Sequence, residues 1–483
     1  MIPGQLLYPL LPPQGTPSII SPMSQRLFGF LFSVYFLAGC GSYQPPKTPS
    51  LQPIGEDPEV RISREFRREA KKSFKLVQNI EVERYVNQLG QRLLSVMGPR
   101  PFEYLFFVVE NSQLNAFAVP GGSIYVHTGL LERIRSTDEL AGVLGHEIIH
   151  VKGHHMSRMS GPDPASLLAL LGLFLGGSSQ AQAALALGQA LALTRQLSYS
   201  RQLEQEADTL GVKYMAEAGY EPKAALVFLK IIDQERVLNP IEVPPYLMTH
   251  PVSQERIANV EGVIRSLDLK RPKSELPDPL KKIQTILRLE RRESDAVIAE
   301  YEKQLSQNPE SSEAMHLLGV AHYYNGRWAK ARDYYERAKA VNPKSPGIDR
   351  DLGRVYTQLG EFRLAHLAFE RALAAEPNQT LNYLFQGELY DKESKLPEAV
   401  DAYLRAAKLS PAWAVPARRL GEVYGKMNRL GDAYYYLGRS HLLSDEDEMA
   451  IAALERALKY AGTTTPRGEI IKEELDVIRA RKR

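Results

Sequence analysis

The sequence predicts a mainly α-helical protein in two parts: a globular half that carries a small β-sheet, and an α-solenoid after it. Three observations predict this. A histidine–glutamate motif sits in an amphipathic helical stretch around His146. Between Phe102 and His127 the chain is rich in aromatic and β-branched residues, with turn residues between them, which is a strand signature. In the C-terminal half, residue types recur every 34 positions, the mark of stacked helical units.

At 483 residues the chain has room for two or three domains. A hydrophobic fraction of 44% is ordinary for a globular protein. A formal charge of +3 is nearly balanced, so nothing points to nucleic acid. The single cysteine, Cys40, excludes an intramolecular disulfide.

Arg26 precedes an apolar run from Leu27 to Leu37, followed by Ala38-Gly39-Cys40-Gly41. A basic start, a short apolar core and small residues before the cut describe a secretory signal over residues 1–40. Residues 1–22 carry no charge, which favours Met23 as the true start. Leu37-Ala38-Gly39-Cys40 resembles the lipobox of bacterial lipoproteins. That resemblance implies cleavage before Cys40 and lipid on its sulfur and new N-terminus. The apolar run falls short of the about 20 residues a spanning helix needs. The hold on the membrane would then be the lipid alone. Gly41 rather than Asp after the cysteine favours the outer membrane, by analogy with enterobacterial sorting. Residues 41–57, rich in proline, read as a tether.

The globular half is expected over residues 58–267. Glu59 to about Met97 reads as helical, with Val86, Leu89, Leu93 and Leu94 at helical spacing. Phe102 to Val109 reads as a strand, and Ser123 to His127 alternates toward a second. Pro120-Gly121-Gly122 supplies a turn with room for positive φ. This strand pair either docks an extended peptide by backbone hydrogen bonds or is plain scaffold. His127 reads as a structural residue.

Ser136 and Glu139 form a capping box ahead of an apolar face made by Leu140, Leu144, Ile148 and Val151. On the helix that follows, His146-Glu147-Ile148-Ile149-His150 is H-E-x-x-H. At about 100° per residue, the two histidines lie about 40° apart on one face and can reach one metal ion. Glu147 sits close enough to touch a metal-held water without being a ligand. Two histidines, a further carboxylate and an open position suit one Zn2+ per chain, with a water whose pKa falls to about 7. A carboxylate beside that water can take its proton and pass it to a leaving amine. The chemistry expected is hydrolysis of a peptide bond. His154 and His155 read as helix-end residues near the negative end of the dipole rather than as ligands.

Ala165 to Gly177, and the Ala/Leu-rich stretch to about Leu193, are apolar but too short to span a membrane. Residues 165–193 fit either a buried hairpin of the core or a lid or membrane-facing flap. Another helix runs from about Tyr199 to Ala218 and stops at Gly219. It carries Glu204, a candidate third ligand, and Asp208 one turn on, placed to hydrogen-bond a ligand histidine. Glu206 points about 200° away from Glu204, toward solvent. Spacing alone leaves Glu204 an open choice.

His146-Glu147-Ile148-Ile149-His150, Ser200-Arg201-Gln202-Leu203-Glu204-Gln205-Glu206-Ala207-Asp208 and, upstream, Asn115-Ala116-Phe117-Ala118-Val119-Pro120-Gly121-Gly122-Ser123-Ile124-Tyr125-Val126 together resemble the HtpX-like and CAAX-prenyl-protease family of zinc metallopeptidases. The resemblance covers about Glu59 to Leu267 and implies a zincin-like metalloprotease domain. It implies His146, His150 and Glu204 as metal ligands, Glu147 as general base and Asp208 as catalytic support. Unlike HtpX itself, this chain shows no transmembrane helices and is similar to the periplasmic branch. Thr249-His250-Pro251 resembles a segment of that branch whose histidine takes the fourth zinc position. His250 is then a latch that substrate must displace; the other reading is a turn histidine before a proline. Arg256 could face the site and support the oxyanion. Residues 268–281, with prolines and mixed charge, read as a linker.

Over residues 282–483, Gly319, Gly353, Gly387 and Gly421 lie 34 apart. Ala331, Ala365, Ala399 and Ala433 keep that spacing, as do Tyr335, Phe369 and Tyr403, and prolines 343, 377 and 411 close the units. This is the tetratricopeptide pattern. Gly438, Ala450, Leu454 and Ala457 repeat it only 17 residues after Gly421, an extra half-step. About four repeats with a concave face are expected, binding peptides or proteins. His316, His322, His366 and His441 read as packing or surface residues.

A lipoprotein signal, this protease type and the array in one chain are similar to periplasmic enzymes that act in quality control and assembly of outer-membrane proteins in Gram-negative bacteria. The resemblance implies unfolded or misassembled outer-membrane proteins and their assembly machinery as partners, held by the repeats. The alternative is a lipid-anchored chaperone or scaffold whose protease half is largely latent.

Overall fold

The computed structural model describes residues 57–100, 102–158, 200–238, 244–267 and 278–481. The signal with Cys40, the tether up to residue 56, the apolar stretch 165–193 and residues 268–277 of the linker lie outside the described residues.

The stretch expected to be one helix is two: α1 (Pro58–Ser73) and α2 (Ile80–Val96). Between them Leu76 bridges to Val109, and the Asn79 side chain accepts from the N–H groups of Glu81 and Val82. Asn79 is thus an N-cap that restarts the helix after a short extended piece. The sheet has three strands rather than a pair: β1 (Leu105–Val109), β2 (Ala116–Val119) and β3 (Ser123–His127). Their order is β1-β3-β2, with β3 parallel to β1 and antiparallel to β2. Gly121 and Gly122 take φ of 83° and 101° in the β2–β3 turn, a conformation open to glycine at low cost.

Strand alternation sorts the side chains into two cores. Phe117, Tyr125 and Phe107 face α1, where Phe66 and Phe74 meet Phe117 and Tyr125 edge-on. Phe106, Val108, Ala116, Ala118, Ile124 and Val126 face the main core. There they meet α4 (Thr137–Lys152), which follows the short α3 (Thr128–Arg133). Next come α5 (His155–Arg158), α6 (Arg201–Glu217), α7 (Lys223–Leu238), α8 (Pro245–Thr249) and α9 (Gln254–Ser266).

The C-terminal half opens with α10 (Leu280–Glu290) and α11 (Ser294–Gln307). Helix α10 takes in the last residues of the expected linker. The repeats follow as α12 (Ser312–Tyr324) with α13 (Trp328–Val341), α14 (Ile348–Leu359) with α15 (Phe362–Ala375), α16 (Thr380–Lys392) with α17 (Leu396–Leu409), and α18 (Ala414–Lys426) with α19 (Leu430–Leu443). A Cβ on Gly319, Gly353 or Gly387 would overlap the ring of Tyr335, Phe369 or Tyr403, so each glycine marks where the two helices of a unit touch. The half-step has a structural meaning. Gly421 of α18 receives Leu437 of α19, and the next residue, Gly438, receives Leu454 of α20 (Asp447–Ala461). Helix α19 therefore closes one unit and opens the next. Helix α21 (Pro466–Arg481) caps the array, burying Ile471, Leu475 and Ile478.

The two halves are not beads on a linker. One contiguous core runs from Val82 and Leu89 of α2 into Leu352, Phe385 and Tyr424 of the repeats. Helix α2 lies along the first helices of successive units. Glu81 pairs with Lys282 of α10 and Arg354 of α14, and Lys282 also holds Asp351 at 2.8 Å. His316 reaches Asp351 at 2.8 Å, and Tyr324 donates to Glu81 at 3.1 Å. Further along α2, Arg84 lies 4.8 Å over the Trp413 ring and Gln88 bonds Gln379. At the far end of the array, Asp445 accepts two bonds of 2.7 Å from Arg67 of α1. Among the described residues, no helix is long and apolar enough to cross a membrane.

Candidate metal centre

Helix α4 begins where the sequence signals it. Ser136 Oγ accepts the Glu139 N–H at 3.2 Å. The Glu139 carboxylate turns back to the Arg135 N–H at 2.9 Å, one residue earlier than a standard capping box. Helix α6 starts at Ser200, whose Oγ accepts from Leu203 N–H. The two helices meet at Gly145 and Gly211, where a Cβ on Gly145 would lie 3.2 Å from the Gly211 carbonyl oxygen. That close approach sets Glu204 opposite the histidine face.

The Nε2 atoms of His146 and His150 lie 2.9 Å apart. Glu204 Oε1 is 3.2 Å from His150 Nε2. His250 Nδ1 lies 2.9 Å from Glu204 Oε1 and 3.3 Å from His146 Nε2. All four donor atoms fall within 4.8 Å of one another, and all four residues are buried. A tetrahedron with bonds of about 2.0–2.1 Å has edges of about 3.3–3.4 Å. Three imidazoles and one carboxylate at these separations fit a single zinc-sized ion.

Each donor is held from behind. His146 Nδ1 lies 3.0 Å from Asp208 Oδ1. Arg256 donates to both Asp208 oxygens at 2.8 Å, through Nε and Nη2. Its Nη1 reaches Glu204 Oε2 at 2.5 Å and the Pro251 carbonyl at 3.0 Å. All three guanidinium nitrogens are therefore engaged with acceptors that orient the donor set. Arg256 therefore faces the donor set, held between Asp208 and Glu204. His250 caps the short α8, with its N–H on the Tyr246 carbonyl at 2.8 Å. The Tyr246 ring stacks on it at 4.7 Å.

Glu147 is fully buried, 3.5 Å from His250 Nε2. Burial pushes its carboxyl above the usual range, against the pull of His250 and His146, and the Ala118 peptide N–H of β2 also acts on it. A raised carboxyl suits a group that must take up a proton and give it back. Burial pushes the Glu204 carboxyl up as well, but the neighbouring His250 and His146 outweigh it and hold the group well below its ordinary value. Burial drives His150 down, toward the neutral form a metal ligand needs.

The structure thus brings His146, Glu147, His150, Glu204, Asp208, His250 and Arg256 into one buried cluster. His127 stands apart on β3, and His154 is on the surface against Glu59 at 2.9 Å. Sequence reasoning missed His155, which is buried with Nδ1 3.0 Å from His150 Nδ1. Its signal was Gly153, the small residue two places before it.

Residues 80–264 match the model of Peptidase family M48, and residues 312–345 and 350–412 match tetratricopeptide repeat models. The chain carries an M48 peptidase domain followed by tetratricopeptide repeats. The chain is similar to the beta-barrel assembly-enhancing protease of Escherichia coli (strain K12), 33% identical over 212 residues, which are 42% of this chain and 43% of that protein. The counterpart in Yersinia pestis is 32% identical over 214 residues, 43% of this chain and 44% of its own. The mitochondrial metalloendopeptidase OMA1 of Schizosaccharomyces pombe is 28% identical over 193 residues, covering 40% and 56%. These matches span about half or less of each relative's length. Among solved structures, that of MamA aligns with 33% of this chain and 94% of its own, at TM-score 0.30 and 21% identity.

Proposed function

We propose that the M48 domain is a zinc endopeptidase, and that His250 holds it latent until a substrate displaces it. The observation that carries this reading is the convergence of His146, His150, Glu204 and His250 with Glu147 alongside. His146, His150 and Glu204 would hold the ion. Bound there, zinc would polarise a scissile carbonyl and acidify a water. Glu147 takes the proton of the attacking water and returns it to the leaving amine. Asp208 holds His146 through Nδ1, and Arg256 fixes Asp208 and Glu204 together. His250 occupies the position that water and substrate need, so the loop Tyr246–Pro251 has to swing out before cleavage.

The repeats and the similarity to beta-barrel assembly-enhancing proteases support two kinds of partner: unfolded or misassembled outer-membrane proteins, and the machinery that assembles them. With the secretory signal, this favours the periplasm of a Gram-negative bacterium, with lipid on Cys40 as the anchor. The inserted His250 also favours the second reading, a chaperone or scaffold whose protease half is seldom used. Zinc content of the purified protein, measured with and without His146→Ala and Glu204→Ala, tests the centre. One zinc per chain, lost in both variants, is expected. A metal-free wild type, or variants that keep their zinc, would overturn it.

A further inference from the structure

Behind His150 the chain turns at the end of α4, where His154 N–H bonds the Val151 carbonyl at 3.0 Å. Helix α4 ends at Gly153, whose φ of −80° any residue could adopt. His154 then takes φ of +50°, unusual for a residue with a side chain. The turn brings His155 back under the helix end, fully buried. Its ring lies where a Cβ on Gly153 would be: that atom would overlap His155 Nε2 and Cδ2. The glycine is required for space, and the space is filled by one imidazole.

That imidazole lies between a metal ligand and the surface. His150 turns Nε2 to the donor cluster, so its proton belongs on Nδ1. His150 Nδ1 lies 3.0 Å from His155 Nδ1. For that contact to be a hydrogen bond, His155 Nδ1 accepts, which puts the His155 proton on Nε2. His155 Nε2 faces Glu206 Oε2 at 3.5 Å. Glu206 is half-exposed and also lies 3.5 Å from Arg158 Nη1. With that tautomer His150 donates to His155, and the His155 Nε2 edge is turned toward the Glu206 carboxylate at 3.5 Å.

We infer that His155 is a positioning residue of the metal centre, which fixes the tautomer and plane of His150 and ties it to Glu206. It does for His150 what Asp208 does for His146. Sequence had placed Glu206 in solvent and His155 at a helix end; the structure links them. The inference rests on the metal reading of the centre. Partners of this kind are worth about 10–100-fold in metal affinity.

The test is zinc affinity by competition with a chromophoric chelator, on the whole protein. Thermal unfolding of the metal-free forms is measured alongside. His155→Leu removes the acceptor, His155→Gln keeps one, and Gly153→Ala leaves His155 in the sequence but fills its space. The expected result is a loss of about 10–100-fold for His155→Leu and Gly153→Ala, with His155→Gln recovering most of it. If the metal-free His155→Leu protein unfolds early, the comparison of Gly153→Ala with His155→Gln decides instead. Affinities within twofold of wild type in the acceptor-lacking forms would overturn the inference and leave the metal centre standing. A wild type that binds no zinc would instead overturn the centre itself.

Discussion

His250 Nδ1 and Glu204 Oε1 lie 2.9 Å apart, in a cluster where the other donors come from the H-E-x-x-H helix. On the proposed reading His250 is a fourth ligand that competes with both water and substrate. Replacing His250 by Ala is therefore expected to raise the rate of cleavage of an unfolded protein. An increase of about tenfold would put the latch at about 1.4 kcal/mol. Initial rates at fixed enzyme concentration check this, and a slower variant would argue that His250 assists the reaction.

Arg256 binds Asp208 through two bonds of 2.8 Å and Glu204 through a third contact. Burial opposes its charge, but the Asp208 hydrogen bonds raise its pKa well above the ordinary value. Arg256→Ala leaves two buried carboxylates without their cation, a change worth roughly 3–5 kcal/mol. Arg256→Lys is expected to recover little, because a point charge cannot replace the two-pronged contact. Denaturant unfolding of the chelated protein measures both.

Glu81 joins the M48 half to the array through Lys282 and Arg354. Burial raises its pKa, but Lys282 and Arg354 more than offset this and take it to about 2. A carboxyl depressed below its unfolded value of about 4.3 stabilises the fold fully above that pH, and the benefit fades as pH falls toward 2. Glu81→Gln is expected to lower stability by roughly 3–5 kcal/mol at pH 7. The gap to wild type should narrow between about pH 4.3 and 2. A gap independent of pH would remove the charge as its cause.

The residues that carry chemistry were legible where local period and motif coincide. His146, Glu147 and His150 share one helix, so spacing alone places them. Glu204 and Asp208 come from a helix some fifty residues on; spacing made them candidates, and the motif resemblance singled them out. Strand β2 was missed because Ala116–Val119 is only four residues long and apolar at every position, so its sequence shows no polar alternation. The break before α2 lay in Asn79, a cap in a run that otherwise keeps helical spacing. The packing of α2 against the repeats could not be read at all. Glu81 lies 201 residues from Lys282 and 273 from Arg354 in sequence, and such pairs leave no local pattern. The half-step at Gly438 was visible as a spacing, but that one helix serves two units emerged only from the contacts of Leu437 and Leu454.

The most direct measurement is digestion of an unfolded outer-membrane β-barrel protein by the zinc-loaded His250→Ala protein, with and without Glu147→Gln. With the latch removed, cleavage depends on the base alone. The expected result is fragments from His250→Ala and none from the double variant, both holding one zinc. Equal cleavage by the two, or none by either with zinc bound, would contradict a protease that works through Glu147.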